Sequence, residues 1–81
     1  MNLNVFQKFN FNAAVTAAAN LKKVEGIKSP TSAEVRSQYK WRKRYNRSKW
    51  KLEKSLGVTV LRVTADTLTY YEDGEMVTTK V

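Results

Sequence analysis

Cysteine and histidine are both absent from this 81-residue chain. Their absence excludes disulfides, thiolate and imidazole metal sites, cysteine or serine–histidine nucleophiles and a histidine proton shuttle. Glycine occurs three times and proline once, which leaves no glycine-rich phosphate loop. No apolar run approaches the roughly 18 residues that a membrane span needs. The opening stretch MNLNVFQKFNFNAAVTAAAN is broken by Asn4, Gln7, Lys8, Asn10 and Asn12, so no secretory signal is read there. A cytoplasmic chain, or one associated with a virion or nucleoid, is expected.

Acids are scarce as well, with seven Asp and Glu against fifteen Lys and Arg. The resulting charge of +8 is unevenly spread. The first 30 residues carry four lysines against Glu25, and the last 25 are mildly acidic, with Asp66, Glu72, Asp73 and Glu75 against Arg62 and Lys80. Between them, from Ser32 to Leu56, nine Lys and Arg face only Glu34 and Glu53. A basic middle of this kind points to one electropositive face.

The spacing within that middle segment is orderly. Wound at about 100° per residue, it puts Arg36, Lys40, Lys43, Arg44, Arg47, Lys51 and Lys54 on one stripe. Val35, Tyr39, Tyr45, Trp50, Leu52 and Leu56 fall mainly opposite, with Trp41 at the border and Arg42 and Lys49 beside the aromatic side. Like charges at i,i+4 (Arg36/Lys40, Lys40/Arg44, Lys43/Arg47, Arg47/Lys51) repel by roughly 0.2–0.5 kcal/mol each. A polyanion would relieve that repulsion. Base stacking on the helix aromatics is conceivable, but their position opposite the cations assigns them to the core, with Trp41 as the exception.

Local signals divide the chain into four parts. Residues 1–11 read as an extended arm or strand, because Leu3, Val5, Phe9 and Phe11 share one parity. Asn12 would cap an alanine-rich helix over 12–25, with Lys22 and Lys23 suiting its C-terminal dipole. Thr31-x-x-Glu34 is a capping-box pattern that opens a basic helix over 32–56, closed by Gly57. Its length makes a break near Asn46 credible, giving helices over 33–44 and 48–56. Residues 58–81 switch to a period of two and are rich in β-branched and aromatic residues.

Asp73-Gly74 is the strongest hairpin signal. It pairs Tyr71 with Met76, Tyr70 with Val77 and Leu68 with Thr79. A first turn centred on Ala65-Asp66 would oppose Val63 to Leu68 and Leu61 to Tyr70, which puts Leu61, Val63, Leu68, Tyr70 and Val77 on the inner face. The outer face would then hold Val60, Arg62, Tyr71, Met76 and Lys80. The N-terminal arm (Leu3, Val5, Phe6, Phe9) or a second copy is expected to cover that outer patch. The acidic tip with Glu72 and Glu75 reads as a soluble turn, since two or three exposed carboxylates do not make a metal cage.

The expected architecture is therefore α+β, one small domain over 1–81, ending in a three-stranded antiparallel meander. The order of elements is compatible with a winged helix, but an acidic wing tip would face phosphates. No cofactor, metal or catalytic acid–base pair is expected. The leading reading is a non-catalytic DNA- or RNA-binding protein of low sequence specificity, its phosphate contacts drawn from the seven stripe cations. The rival is a small protein-interaction module, of phage-like profile, that docks on an acidic protein surface or forms a homodimer through its sheet. For that rival the binding face would comprise Trp41, Arg62, Tyr71, Met76 and Lys80.

Overall fold

A computed structural model describes residues 2–81. Helix α1 spans Val5–Glu25, and helix α2 spans Ser32–Leu56. They are followed by strands β1 (Thr59–Val63), β2 (Thr67–Glu72) and β3 (Glu75–Lys80). The strands form one antiparallel sheet in the order β1-β2-β3. This is the α+β arrangement that the change of periodicity after Gly57 predicts.

The N-terminal arm expected over residues 1–11 is replaced, from Val5 onward, by helix. The cap is Asn4 rather than Asn12. The Asn4 side chain accepts from the Gln7 amide at 2.8 Å, and the Gln7 side chain accepts from the Asn4 amide at 3.0 Å. This reciprocal pair satisfies two donors that a helix start otherwise leaves orphaned. Burial follows the helical period, with Leu3, Asn10, Phe11, Ala14 and Ala17 inside and Val5, Phe6 and Phe9 outside. Strand parity misreads this stretch because Phe9 and Phe11 share a parity but lie on different sides of a helix.

Helix α2 opens and closes where its punctuation says. Thr31 and Glu34 bond reciprocally. Gly57 adopts a left-handed conformation with φ 72°, and its amide donates to the Glu53 carbonyl at 2.9 Å. The break expected near Asn46 does not occur, and α2 runs unbroken for 25 residues, about 38 Å at 1.5 Å per residue. No glycine or proline interrupts it, and α1 lies alongside as a splint. An unbroken α2 also leaves no separate recognition helix, so the winged-helix order fails.

The two helices pack antiparallel. Near the start of α1, Gln7 Nε2 donates to Ser55 Oγ at 3.1 Å. At its end, Gln38 Nε2 donates to the Val24 carbonyl at 3.3 Å, and Arg42 pairs with Glu25 at 3.1 Å. Ala14 and Ala17 are buried completely or nearly so, and with no side chain beyond Cβ they let neighbouring backbone come close.

The sheet closes over one side of this hairpin. Leu52 and Leu68 are the largest fully buried side chains, and Leu3, Phe11, Val60, Val63 and Tyr70 complete the core. The second hairpin has the predicted register, with Tyr71 opposite Met76 and Glu72 opposite Glu75. In the first, Val63 does oppose Leu68, but Tyr70 faces Val60 rather than Leu61 because the register shifts between Val60 and Arg62. The extra residue of this bulge turns Leu61 outward and Val60 inward.

The bulge has a second effect. Val60 and Val63 amides both turn away from β2 toward α2, where Glu53 Oε1 accepts one at 2.9 Å and the Tyr45 hydroxyl accepts the other at 3.2 Å. Side chains of α2 thus cover the β1 edge, which would otherwise expose unpaired donors.

The cap assignment is directly testable. Asn4→Ala should lower unfolding free energy by about 1 kcal/mol in denaturant titrations. Asn12→Ala, at an exposed position inside α1, should leave stability unchanged or raise it by a few tenths of a kcal/mol. A loss at Asn12 without one at Asn4 would restore the extended arm.

Candidate functional site

All seven stripe cations are exposed on α2. They occupy the side turned away from the line of Tyr45, Leu52 and Leu56 that packs on the core. Among the described residues, none of the seven has a carboxylate within ion-pair distance. The reason lies in what the nearby acids do. Glu34 closes its own helix cap, Glu53 bonds the Val60 amide, and Glu25 pairs with Arg42 outside the stripe. The other four acids sit in the sheet and its turns. Every carboxylate of the first 56 residues is therefore committed to holding the fold, and the stripe is left uncompensated.

Six of the seven cations line three shallow depressions. Lys40, Lys43, Arg44 and Arg47 surround one of about 340 Å³ together with Tyr39. Arg44 and Arg47 also border a groove of about 380 Å³ between the helices, whose other wall is Phe9, Asn12, Ala13 and Thr16 of α1. Lys51 and Lys54 share a third, of about 390 Å³, with Phe6 and Trp50. Arg36 lies nearer the start of α2, outside these three.

The aromatic residues depart from their expected role. Tyr45 packs against the core as predicted, but Tyr39 and Trp50 are 70% and 54% exposed. They flank the stripe rather than oppose it, because positions 39 and 50 fall only about 65–85° from its centre at 100° per residue. Val35 is exposed as well. Trp41 is half-buried at the stripe's other margin, with the Arg44 guanidinium 5.0 Å and Lys40 Nζ 5.4 Å from its ring. Lys54 Nζ stands 5.3 Å from the Trp50 ring. These separations lie within the ~6 Å over which a cation is attracted to a ring face.

Helix α1 adds residues that sequence reasoning missed. Phe9 and Phe6 are 71% and 55% exposed and face the depressions that the stripe lines. The missed signal was Asn4-x-x-Gln7. Once helix is started at Val5, the wheel brings Phe6, Phe9, Ala13 and Thr16 to one side and Phe11 and Ala14 to another.

The second candidate face lies across the molecule. Tyr71 and Met76 are cross-strand partners and both exposed, with Arg62 beside Thr69 and Lys80 beside Thr67 on the same sheet surface. Val60, expected there, is in the core. The arm expected as a cover is also absent, because Val5, Phe6 and Phe9 are exposed on α1. Trp41 sits with the cations and does not join this patch.

No protein-family model matches the chain, and no curated protein or solved structure is significantly similar to it. No helix among the described residues is long and apolar enough to cross a membrane. Chemically, the two-helix face offers several unneutralised cations at one-turn spacing, with exposed rings between and beside them. It has no nucleophile–base pair and no gathered carboxylates.

The uncompensated stripe predicts a stability response. Lys43→Glu introduces an acid that faces Arg47 at i+4 and Lys40 at i−3. At low salt it should stabilise the fold by about 0.5–1 kcal/mol, with the gain shrinking as salt screens the charges. Thermal melts across a salt series would read this. A destabilised variant at low salt would mean the stripe cations are not repelling one another.

Proposed function

We propose that this protein is a non-catalytic nucleic-acid-binding protein of low sequence specificity, which holds phosphates along the exposed face of α2. The observation that carries the reading is the uncompensated stripe. Exposed cations repeat along α2, and the nearby acids are occupied elsewhere. A face meant only for solubility gains nothing from excluding acids, since interleaved charges of both signs solubilise as well without self-repulsion. A phosphate backbone, by contrast, gains with every cation it meets through release of its condensed counterions.

The residues divide by what their side chains can do. Lys40, Lys43, Lys51 and Lys54 act as point charges toward phosphate oxygens, and Arg44 and Arg47 can take two oxygens at once. Arg36 extends the track toward the start of α2. None of these contacts carries sequence information, because phosphates are the same at every base. The low specificity follows from that.

A second reading has its own observation. Strand β3 is the edge of the sheet farthest from the helices, and Tyr71 and Met76 lie exposed beside it. Such an edge suits strand addition by a protein partner or pairing with a second copy. On this reading the stripe would meet an acidic protein surface.

Fluorescence-anisotropy titrations of random-sequence oligonucleotides across a salt series decide between them. Six phosphate contacts give a log–log slope of about −5 on duplex DNA and about −4 on single strands. The Lys43→Ala/Arg44→Ala/Arg47→Ala variant should flatten either slope by about two or three units. Weak binding at every salt, or an unchanged slope in the variant, would remove the nucleic-acid reading in favour of the second.

A further inference from the structure

The geometry points to single-stranded nucleic acid as the ligand of the two-helix face, with bases stacked on Phe6, Phe9, Tyr39 and Trp50 while the stripe holds the backbone. This rests on the nucleic-acid reading above and specifies the form of ligand it takes.

Among the described residues five aromatic rings are exposed, one on the sheet (Tyr71) and four on the helices, and the four helical ones need an explanation in a chain of this size. Burial of a large apolar side chain stabilises a fold, and this small domain has few other means of support. The four helical rings are also not scattered. Each one shares a depression with at least two stripe cations: Tyr39 with Lys40 and Lys43, Phe9 with Arg44 and Arg47, and both Phe6 and Trp50 with Lys51 and Lys54. Ring and cation recur together along the helices. That alternation is what an unpaired strand requires, since its bases are free to stack and its phosphates follow at every nucleotide.

The shape of the face favours the same form. A major groove about 12 Å wide admits one helix. Here α1 lies directly against α2, and two packed helices with axes about 8–10 Å apart, each about 10–12 Å across, are too broad to enter together. The rings of α1 therefore cannot reach bases inside a duplex, where the π-faces are already stacked on one another. A single strand laid along the cation stripe, with Phe6 and Phe9 on one flank and Tyr39 and Trp50 on the other, exposes its bases to these rings. Polar groups at the seam, Asn12, Thr16 and Ser48, can bond sugars or base edges without selecting a sequence.

An acidic protein partner fits this face less well. Its carboxylates would satisfy the cations, but nothing in such a partner calls for an aromatic ring at every cation pair.

The test compares a fluorescent oligothymidine with a duplex of equal length at matched salt across a salt series, for the native chain and for Phe6→Leu, Phe9→Leu and Trp50→Leu. Leucine keeps the apolar bulk and helix propensity but has no π-face, and all three positions are exposed, so the fold should tolerate it. Heparin, a polyanion without bases, serves as the control for folding and charge. The single strand should bind more tightly than the duplex. Each leucine variant should lose about fivefold or more of its single-strand affinity while keeping its heparin affinity and salt slope. In a Trp41→Phe background, Trp50 fluorescence should be quenched as the oligothymidine binds.

Equal or tighter duplex binding, or leucine variants that hold the single strand as well as the native chain does, would overturn the single-strand inference and leave the phosphate reading standing. Failure of the native chain to bind either nucleic acid would overturn both.

Discussion

The seam between α1 and α2 is the contact on which the remaining architecture depends. Ala14 and Ala17 are buried to within 1% there, so the helices pack without large side chains holding them apart. The hydrogen bonds from Gln7 to Ser55 and from Gln38 to Val24 fix the register at both ends of the seam. Because α1 occupies one flank of α2 and the sheet covers its apolar line, the cations are left with a single direction, outward. A larger residue at Ala14 or Ala17 would pry this arrangement open, since overpacking forces backbone shifts. The seam also brings Phe6 and Phe9 beside the cations, which no feature of α2 alone could do.

Charge is segregated by giving the acids structural work. Glu34 caps, Glu53 accepts from a strand amide and Glu25 ties the end of α1 to α2 through Arg42. Each of these roles makes the fold more determinate while withdrawing a carboxylate from the stripe. The sheet keeps its acids at turns and strand ends, away from the helical face. A polarised molecule results: a basic, ring-bearing helical side and a weakly acidic sheet. Self-repulsion on α2 is the stability given up for that polarity, and each polyanion contact we propose would recover part of it.

Much of the fold was legible because its signals are local. Thr31-x-x-Glu34 and Gly57 bound α2 without reference to tertiary structure, and Asp73-Gly74 fixes the register of the last hairpin. The cation stripe could be read from periodicity alone. The failures were of two kinds. At the N-terminus, four apolar residues of one parity point to an arm with Asn12 as the next cap, whereas the capping box that starts the helix is Asn4-x-x-Gln7. Elsewhere the missing information was tertiary. The bulge at Leu61 goes with amides of Val60 and Val63 that both find acceptors on α2, and no pattern within β1 announces that. Tyr39 and Trp50 are a different case, since the helical wheel itself sets them beside the cations once it is divided finely enough. The core has room only for the narrower line of Tyr45, Leu52 and Leu56. Aromatic rings are poor witnesses to burial when a ligand surface competes for them.

The function we propose requires that one face, built from both helices, receive the ligand. Backbone amide chemical shifts followed by NMR during titration with an oligothymidine would test it residue by residue. Perturbations are expected along the ring-bearing side of α1 from Phe6 to Thr16 and along α2 from Tyr39 to Lys54, with β3 unmoved. Perturbations centred on Tyr71, Met76 and the β3 edge, or confined to α2 with α1 silent, would contradict it.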